Sequence, residues 1–181
     1  MELITLENKD SVKLIKDVVL HPYKVNEDSS GVLVETMRKD WVDIYNEGRE
    51  FSMQYYSETS SGLARDEDVW HYHPTVQDDR FSAIKGEIVV AIADNREDSS
   101  TKGLLNLFYI NARINPYVVL IPRRTLHGFL VVSKEPAILI NFPTGIYNLQ
   151  EEGRIPYSKA QVKTSDGVIF NWDLVRKEFP L

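Results

Sequence analysis

His71 and His73 stand one residue apart in WHYHPTVQDDR, residues 70–80, directly ahead of Pro74. Along a strand, successive side chains leave opposite faces, so this spacing turns both imidazoles to one side and Tyr72 to the other. A third histidine, His127, lies in IPRRTLHGF, residues 121–129, a second apolar stretch that could run beside the first. Converging imidazoles suit two chemistries. A neutral imidazole is a general base near neutral pH, whereas several imidazoles with a carboxylate hold a divalent first-row metal ion. Asp78 is a nearby carboxylate, so a candidate ligand set is His71, His73, Asp78 and His127. The bland alternatives stand beside these: Asp78-Asp79 also reads as a solvated turn, and a histidine near an apolar strand is often a hydrogen-bonded core residue.

The elements that position these residues read as strands. Val32–Thr36, Phe51–Ser57, Leu104–Ile110, Tyr117–Ile121, Gly128–Val132 and Ala137–Phe142 are short β-branched or aromatic runs bounded by turn residues. Phe81–Ile84 and Glu87–Ala93, joined at Lys85-Gly86, are expected to form a hairpin. Asp40–Tyr45 fits one helical turn, and Met1–Leu20 fits either strand or short helix. Many short strands with regular turns predict an all-β sandwich or barrel. The expected organisation is a single domain over residues 1–181, with an N-terminal arm to about residue 30. A polar tail from about 148 to 181 is expected to wrap the outside rather than build core.

Composition narrows the partners. With 181 residues, 43% of them hydrophobic, the chain is long enough for a real core. A net charge of -6 argues against a nucleic-acid surface, which needs a basic face. Cysteine is absent, which removes thiolate chemistry and fits a reducing compartment. No apolar run reaches the roughly 18 residues of a membrane span, and MELITLENKDSVKL lacks the apolar core of a secretory signal. The expectation is a cytoplasmic protein.

The two histidine segments approximate the paired motifs of cupin barrels, with Asp78 where glutamate is usual and Arg124 in place of a glycine. A longer set of matches is more specific. DSSGVLVE (28–35), QYYS (54–57) with GLAR (62–65), His71-Tyr72, GEI (86–88) with ADNR (93–96), IPRRTLHGF and IYN (146–148) occur in this order. Together they resemble the dTDP-4-dehydrorhamnose 3,5-epimerase family, a cupin branch that works without metal.

The resemblance implies a cupin-type jelly roll, a homodimer, no cofactor, and a 4-keto-6-deoxy nucleoside-diphosphate sugar as substrate. It also implies a histidine that removes the proton beside the C4 keto group and a tyrosine that returns it from the opposite face. On that footing His71 is the base and Tyr147 the opposing acid. Glu35, Gln54, Arg65, His73, His127 and Asn141 are substrate-contacting positions, and Arg80, with Arg123 or Arg124, holds phosphate oxygens. The chain departs from the family at five points, two of them the Asp66-Glu-Asp68 insertion between Arg65 and His71 and Ser30 in place of an arginine. Asn141 stands where the catalytic tyrosine is expected, no S-x-K-D segment follows Asn171-Trp-Asp173 to supply the aspartate of the histidine dyad, and His73 replaces a glutamine. Two alternatives follow from these departures: a metal-dependent cupin, or a sugar-nucleotide binding protein without turnover.

Overall fold

The computed structural model describes residues 1–180, and β-strands dominate it. In chain order these are β1 (Val19–Pro22), β2 (Val25–Asp28), β3 (Gly31–Val34), β4 (Tyr55–Thr59), β5 (Ala64–Arg65), β6 (Val69–Tyr72), β7 (Asp79–Lys85), β8 (Glu87–Ala93), β9 (Leu105–Asn111), β10 (Tyr117–Ile121), β11 (Leu126–Val131), β12 (Ala137–Asn141) and β13 (Gly153–Pro156). Two short helices, α1 (Tyr157–Ala160) and α2 (Trp172–Arg176), follow. One sheet runs β1-β10-β7-β12-β4 and a second runs β13-β6-β11-β8-β9, with β5 on the flank of β11; β2 and β3 form a separate ribbon. The strand pairs are antiparallel, and the two larger sheets make the expected jelly-roll sandwich. Among the described residues no helix is long and apolar enough to cross a membrane.

Both sheets are covered on both faces. Between them lie Ile88, Val90, Ile92, Phe81, Phe129, Tyr117, Val119 and Leu139. The outer face of the β8-β11 sheet carries Val89, Ala91 and Leu130, and residues from the C-terminal tail pack onto them. The outer face of the other sheet carries Val118 and Leu120 beneath Tyr23 and Ile44. Strands covered twice have no polar face, which is why EIVVAIA and YVVLI are continuous apolar runs rather than alternating ones.

Several expectations are corrected. β7 and β8 are not a hairpin: β7 pairs with β10 and β12, while β8 pairs with β9 and β11. The chain changes sheets at Gly86, whose φ of +75° is open to glycine and strained for other residues. A Cβ there would also lie 2.9 Å from Ala137 Cβ. The aromatic strand begins at Tyr55 rather than Phe51, whereas Asp40–Tyr45 holds the one helical turn expected, closed by the Tyr45 N–H on the Trp41 carbonyl at 2.7 Å. The tail wraps the outside as expected, yet it also builds core, for Phe170, Trp172 and Val175 are fully buried.

Candidate active site

The β6–β11 pairing sets His71 directly opposite His127. On β6, Trp70 and Tyr72 turn outward into the apolar layer under the tail, so His71 turns inward. His73, just past the strand end, lies on the same side; its ring centroid is 4.7 Å from that of His71 and 5.6 Å from that of His127. The three imidazoles line a cleft of about 480 Å³ between the sheets, within the size range of small-molecule sites. Phe81, Phe129 and Leu139 continue the apolar core into its wall, and Arg65, Arg154, Tyr55 and Tyr147 also line it.

A buried carboxylate organises the histidines. Asp79 Oδ2 lies 3.0 Å from His73 Nε2 and 3.3 Å from His127 Nε2. Its Oδ1 accepts from Gln77 Nε2 at 2.9 Å and from Asn141 Nδ2 at 2.8 Å. His73 Nδ1 faces the Glu151 carbonyl at 2.9 Å and His127 Nδ1 faces that of Thr125 at 3.2 Å. A carbonyl only accepts, so both Nδ1 atoms carry hydrogen and both Nε2 atoms are left to face Asp79. Burial opposes ionisation of Asp79, but the His127 and His73 contacts outweigh it and hold the carboxyl well below its usual range. Burial likewise opposes a charged His73, and the Asp79 hydrogen bond and charge outweigh it, so His73 is raised.

His71 has the opposite balance. Burial, then the neighbouring His127 and His73, push it down to about 3, so the ring is neutral at physiological pH. Two carboxylates nevertheless flank it: Glu152 Oε2 is 3.3 Å from Nε2, and Asp66 Oδ2 is 3.7 Å from Nδ1. Glu152 arrives because β13 pairs with β6, with Arg154 opposite His71 and Gly153 opposite Tyr72. The neutral ring has a free nitrogen to accept a proton, and the flanking carboxylates offset part of the cost of the resulting charge.

His71, His73, His127, Arg65 and Tyr147 are brought together as the sequence suggests. Other candidates are placed elsewhere. Arg80 is wholly buried, and its guanidinium donates to the backbone carbonyls of Ile44, Phe142 and Arg49, so it braces loops and meets no phosphate. Asp78 points away from the histidines and is clasped by Arg123 at 2.9 Å and Arg49 at 3.3 Å. Arg124 pairs with exposed Asp98. Glu35 is exposed and paired with Arg38. Gln54 lies outside the cleft that Met53, Tyr55 and Ser57 line, because alternate residues of this segment face inward. Asn141 is fully buried and acts behind the wall, accepting from Arg80 N–H at 2.8 Å and donating to Asp79 and Tyr55.

Among the site residues that the sequence reading did not single out are Asp66, Asp79, Tyr55, Gln77, Glu152 and Arg154. A signal for Asp79 was present: counting back by two from the inward-facing Ala83 and Phe81 gives Asp79, not Asp78. Nothing local marks Glu152 or Arg154, which reach the site through pairing across some 80 residues of chain.

Comparison with known proteins bears on the family and the fold. The family profile described as dTDP-4-dehydrorhamnose 3,5-epimerase matches residues 13–171. The "Probable low-salt glycan biosynthesis epimerase Agl13" of Haloferax volcanii is 44% identical over 145 residues, covering 79% of this chain and 88% of that protein. The "Spore coat polysaccharide biosynthesis protein SpsL" of Bacillus subtilis is 31% identical over 166 residues, covering 91% and 96%. The fold is similar to that of dTDP-6-deoxy-D-glucose-3,5-epimerase RmlC from Legionella pneumophila, solved in complex with dTDP-4-keto-L-rhamnose. That match has a TM-score of 0.68 at 23% identity and covers 79% of this chain and 74% of the other.

Proposed function

The chain belongs to the dTDP-4-dehydrorhamnose 3,5-epimerase family, and from that premise we propose that it inverts a stereocentre beside the C4 keto group of a 4-keto-6-deoxy nucleoside-diphosphate sugar, for the synthesis of a glycan. The observation that carries this reading is the neutral His71 on the cleft wall with Glu152 beside its ring. His71 takes the proton from the carbon next to the ketone, leaving an enolate, and Glu152 stabilises the imidazolium in the part of a dyad carboxylate. Arg65 and Arg154 hold the anionic diphosphate, for which a guanidinium fork is suited. Two phenols, Tyr55 and Tyr147, line the same cleft, and one of them returns the proton. In D2O the wild-type protein is expected to place deuterium on the inverted carbon of dTDP-4-keto-6-deoxyglucose. His71→Asn should slow this by a factor of about 10² to 10⁴ while still binding the nucleotide sugar in calorimetry. Binding without any exchange in the wild type would favour a non-catalytic sugar-nucleotide protein instead.

The enzyme is further proposed to be a cytoplasmic homodimer. The absence of cysteine fits the compartment, and exposed Leu33 on the β2–β3 ribbon and Tyr56 on the edge strand β4 supply apolar surface for a second copy. Light scattering at twice the chain mass is the expected result, and a monomer at working concentration removes the dimer.

A second reading has its own support. One donor atom from each of His71, His73 and His127 lies within 4.8 Å of the others, and His127 Nε2 is buried without a hydrogen bond. Carbonyl-anchored Nδ1 atoms are the usual second shell of metal-bound imidazoles. These residues fit a divalent first-row ion, with Asp79 rather than Asp78 as the carboxylate; the ion would act there as a Lewis acid. Near-stoichiometric metal after chelator-free purification, and a cobalt(II) absorption spectrum lost in His73→Ala, are the expected signs. A protein that takes up neither zinc nor cobalt dismisses this reading.

A further inference from the structure

Inversion at carbon needs two groups on opposite sides of the substrate, one to take a proton and one to give it. The sandwich provides two sides. His71 comes from β6 in one sheet, whereas β4, at the edge of the other, lends Tyr55 to the same cleft. Tyr55 is the register partner of Asn141 on β12, and Asn141 Nδ2 lies 3.0 Å from its hydroxyl oxygen. The amide cannot be turned round, because its Oδ1 accepts the Arg80 N–H at 2.8 Å and its Nδ2 also donates to Asp79 at 2.8 Å. An N–H only donates, so the Tyr55 oxygen accepts there and its own hydrogen is left to donate elsewhere. The other phenol, Tyr147, stands 64% exposed, against 39% for Tyr55.

We propose that Tyr55 is the proton donor of the reaction, facing His71 from the opposite sheet, and that Asn141 positions it. This rests on the epimerase reading above. His71 receives the proton of the breaking C–H bond, and the electron pair moves onto the C4 oxygen as an enolate. The electron pair then returns to the same carbon as the Tyr55 O–H breaks and a new C–H bond forms on the other face. The phenolate left behind is stabilised by the Asn141 N–H until solvent, which reaches the half-open cleft, restores the proton and removes the one on His71. No oxidant or reductant is needed. Burial, reinforced by the Asp79 charge, raises the Tyr55 phenol above its ordinary range, so it is protonated at neutral pH.

The test separates exchange from inversion with dTDP-4-keto-6-deoxyglucose in D2O. Tyr55→Phe removes one oxygen; it is expected to keep deuterium exchange with retained configuration within about tenfold of wild type, while inversion falls at least about 100-fold. Tyr147→Phe, which removes the other phenol of the cleft, is expected to lower inversion less than Tyr55→Phe does. Difluorotyrosine at position 55, a stronger acid of nearly the same shape, should move the alkaline limb of inversion to lower pH and leave that of exchange in place. Unimpaired inversion in Tyr55→Phe, or loss of inversion in Tyr147→Phe instead, overturns the Tyr55 assignment alone. A wild-type protein that exchanges no such proton overturns the epimerase reading and the assignment with it.

Discussion

Asp78 and Asp79 have the same side chain and opposite tasks, because consecutive residues entering β7 face opposite sides of the sheet. Asp78 ties Arg123 and Arg49 together outside the cleft; Asp79 joins His73 and His127 within it. Asp79→Asn should therefore cripple substrate exchange, whereas Asp78→Asn should leave exchange within a few-fold of wild type while lowering the unfolding midpoint. The histidines also give stability a pH signature. Folded His71, held near 3, refuses the proton that the unfolded chain takes below about 6.5, so stability falls as pH drops through that range. His73 is raised instead; its stabilisation is complete below 6.5 and is lost as pH rises through its folded value. Urea unfolding in the presence of chelator should show a loss of up to about 1.4 kcal/mol per pH unit between pH 6.5 and roughly 4.5. His71→Asn should flatten that limb.

Short elements hold the carboxylate beside His71 in place. β13 has four residues, yet its pairing with β6 brings Glu152 to His71 and Arg154 to the cleft. Gly153 permits the approach, since a Cβ there would collide with the edge of the Tyr72 ring. Gly153→Val is expected to displace β13, and the checking measurement is a fall in kcat for inversion with little change in nucleotide-sugar affinity. Gly86 has an architectural role at the sheet crossing. Gly86→Ala meets both a positive φ and Ala137, and should cost on the order of 1–3 kcal/mol in unfolding free energy without altering the substrate affinity of the folded fraction.

Across the whole molecule, the strand that carries His71 is packed from behind. Trp70 stacks on Phe170 at 5.0 Å and meets Tyr157 edge-on at 5.3 Å, so the C-terminal tail supports β6 from behind. Trp172 packs against Gly128, next to His127 on β11, where a Cβ would come within 3.2 Å of its ring. Phe170→Ala or Trp172→Ala should cost about 3–5 kcal/mol and weaken the site although neither residue touches the cleft. Thermal unfolding with and without dTDP would show both effects.

Local pattern alone carried the strands and the inward direction of His71 and His73, because strand alternation and apolar runs are local properties. The ordered matches also carried the family and its jelly roll. Other features depended on contacts distant in sequence. Whether β7 and β8 pair with each other or join different sheets depends on competing partners elsewhere in the chain. Arg80 could not be told from a phosphate ligand until Ile44, Phe142 and Arg49 were seen to offer it their carbonyls. Glu152 and the Tyr55–Asn141 pair have no local signature, since each exists through pairing between strands about 80 residues apart. The sequence determined which residues could do chemistry; the tertiary structure decided which faced one another, because a side chain's direction is local while its neighbours are set by the packing of the whole chain.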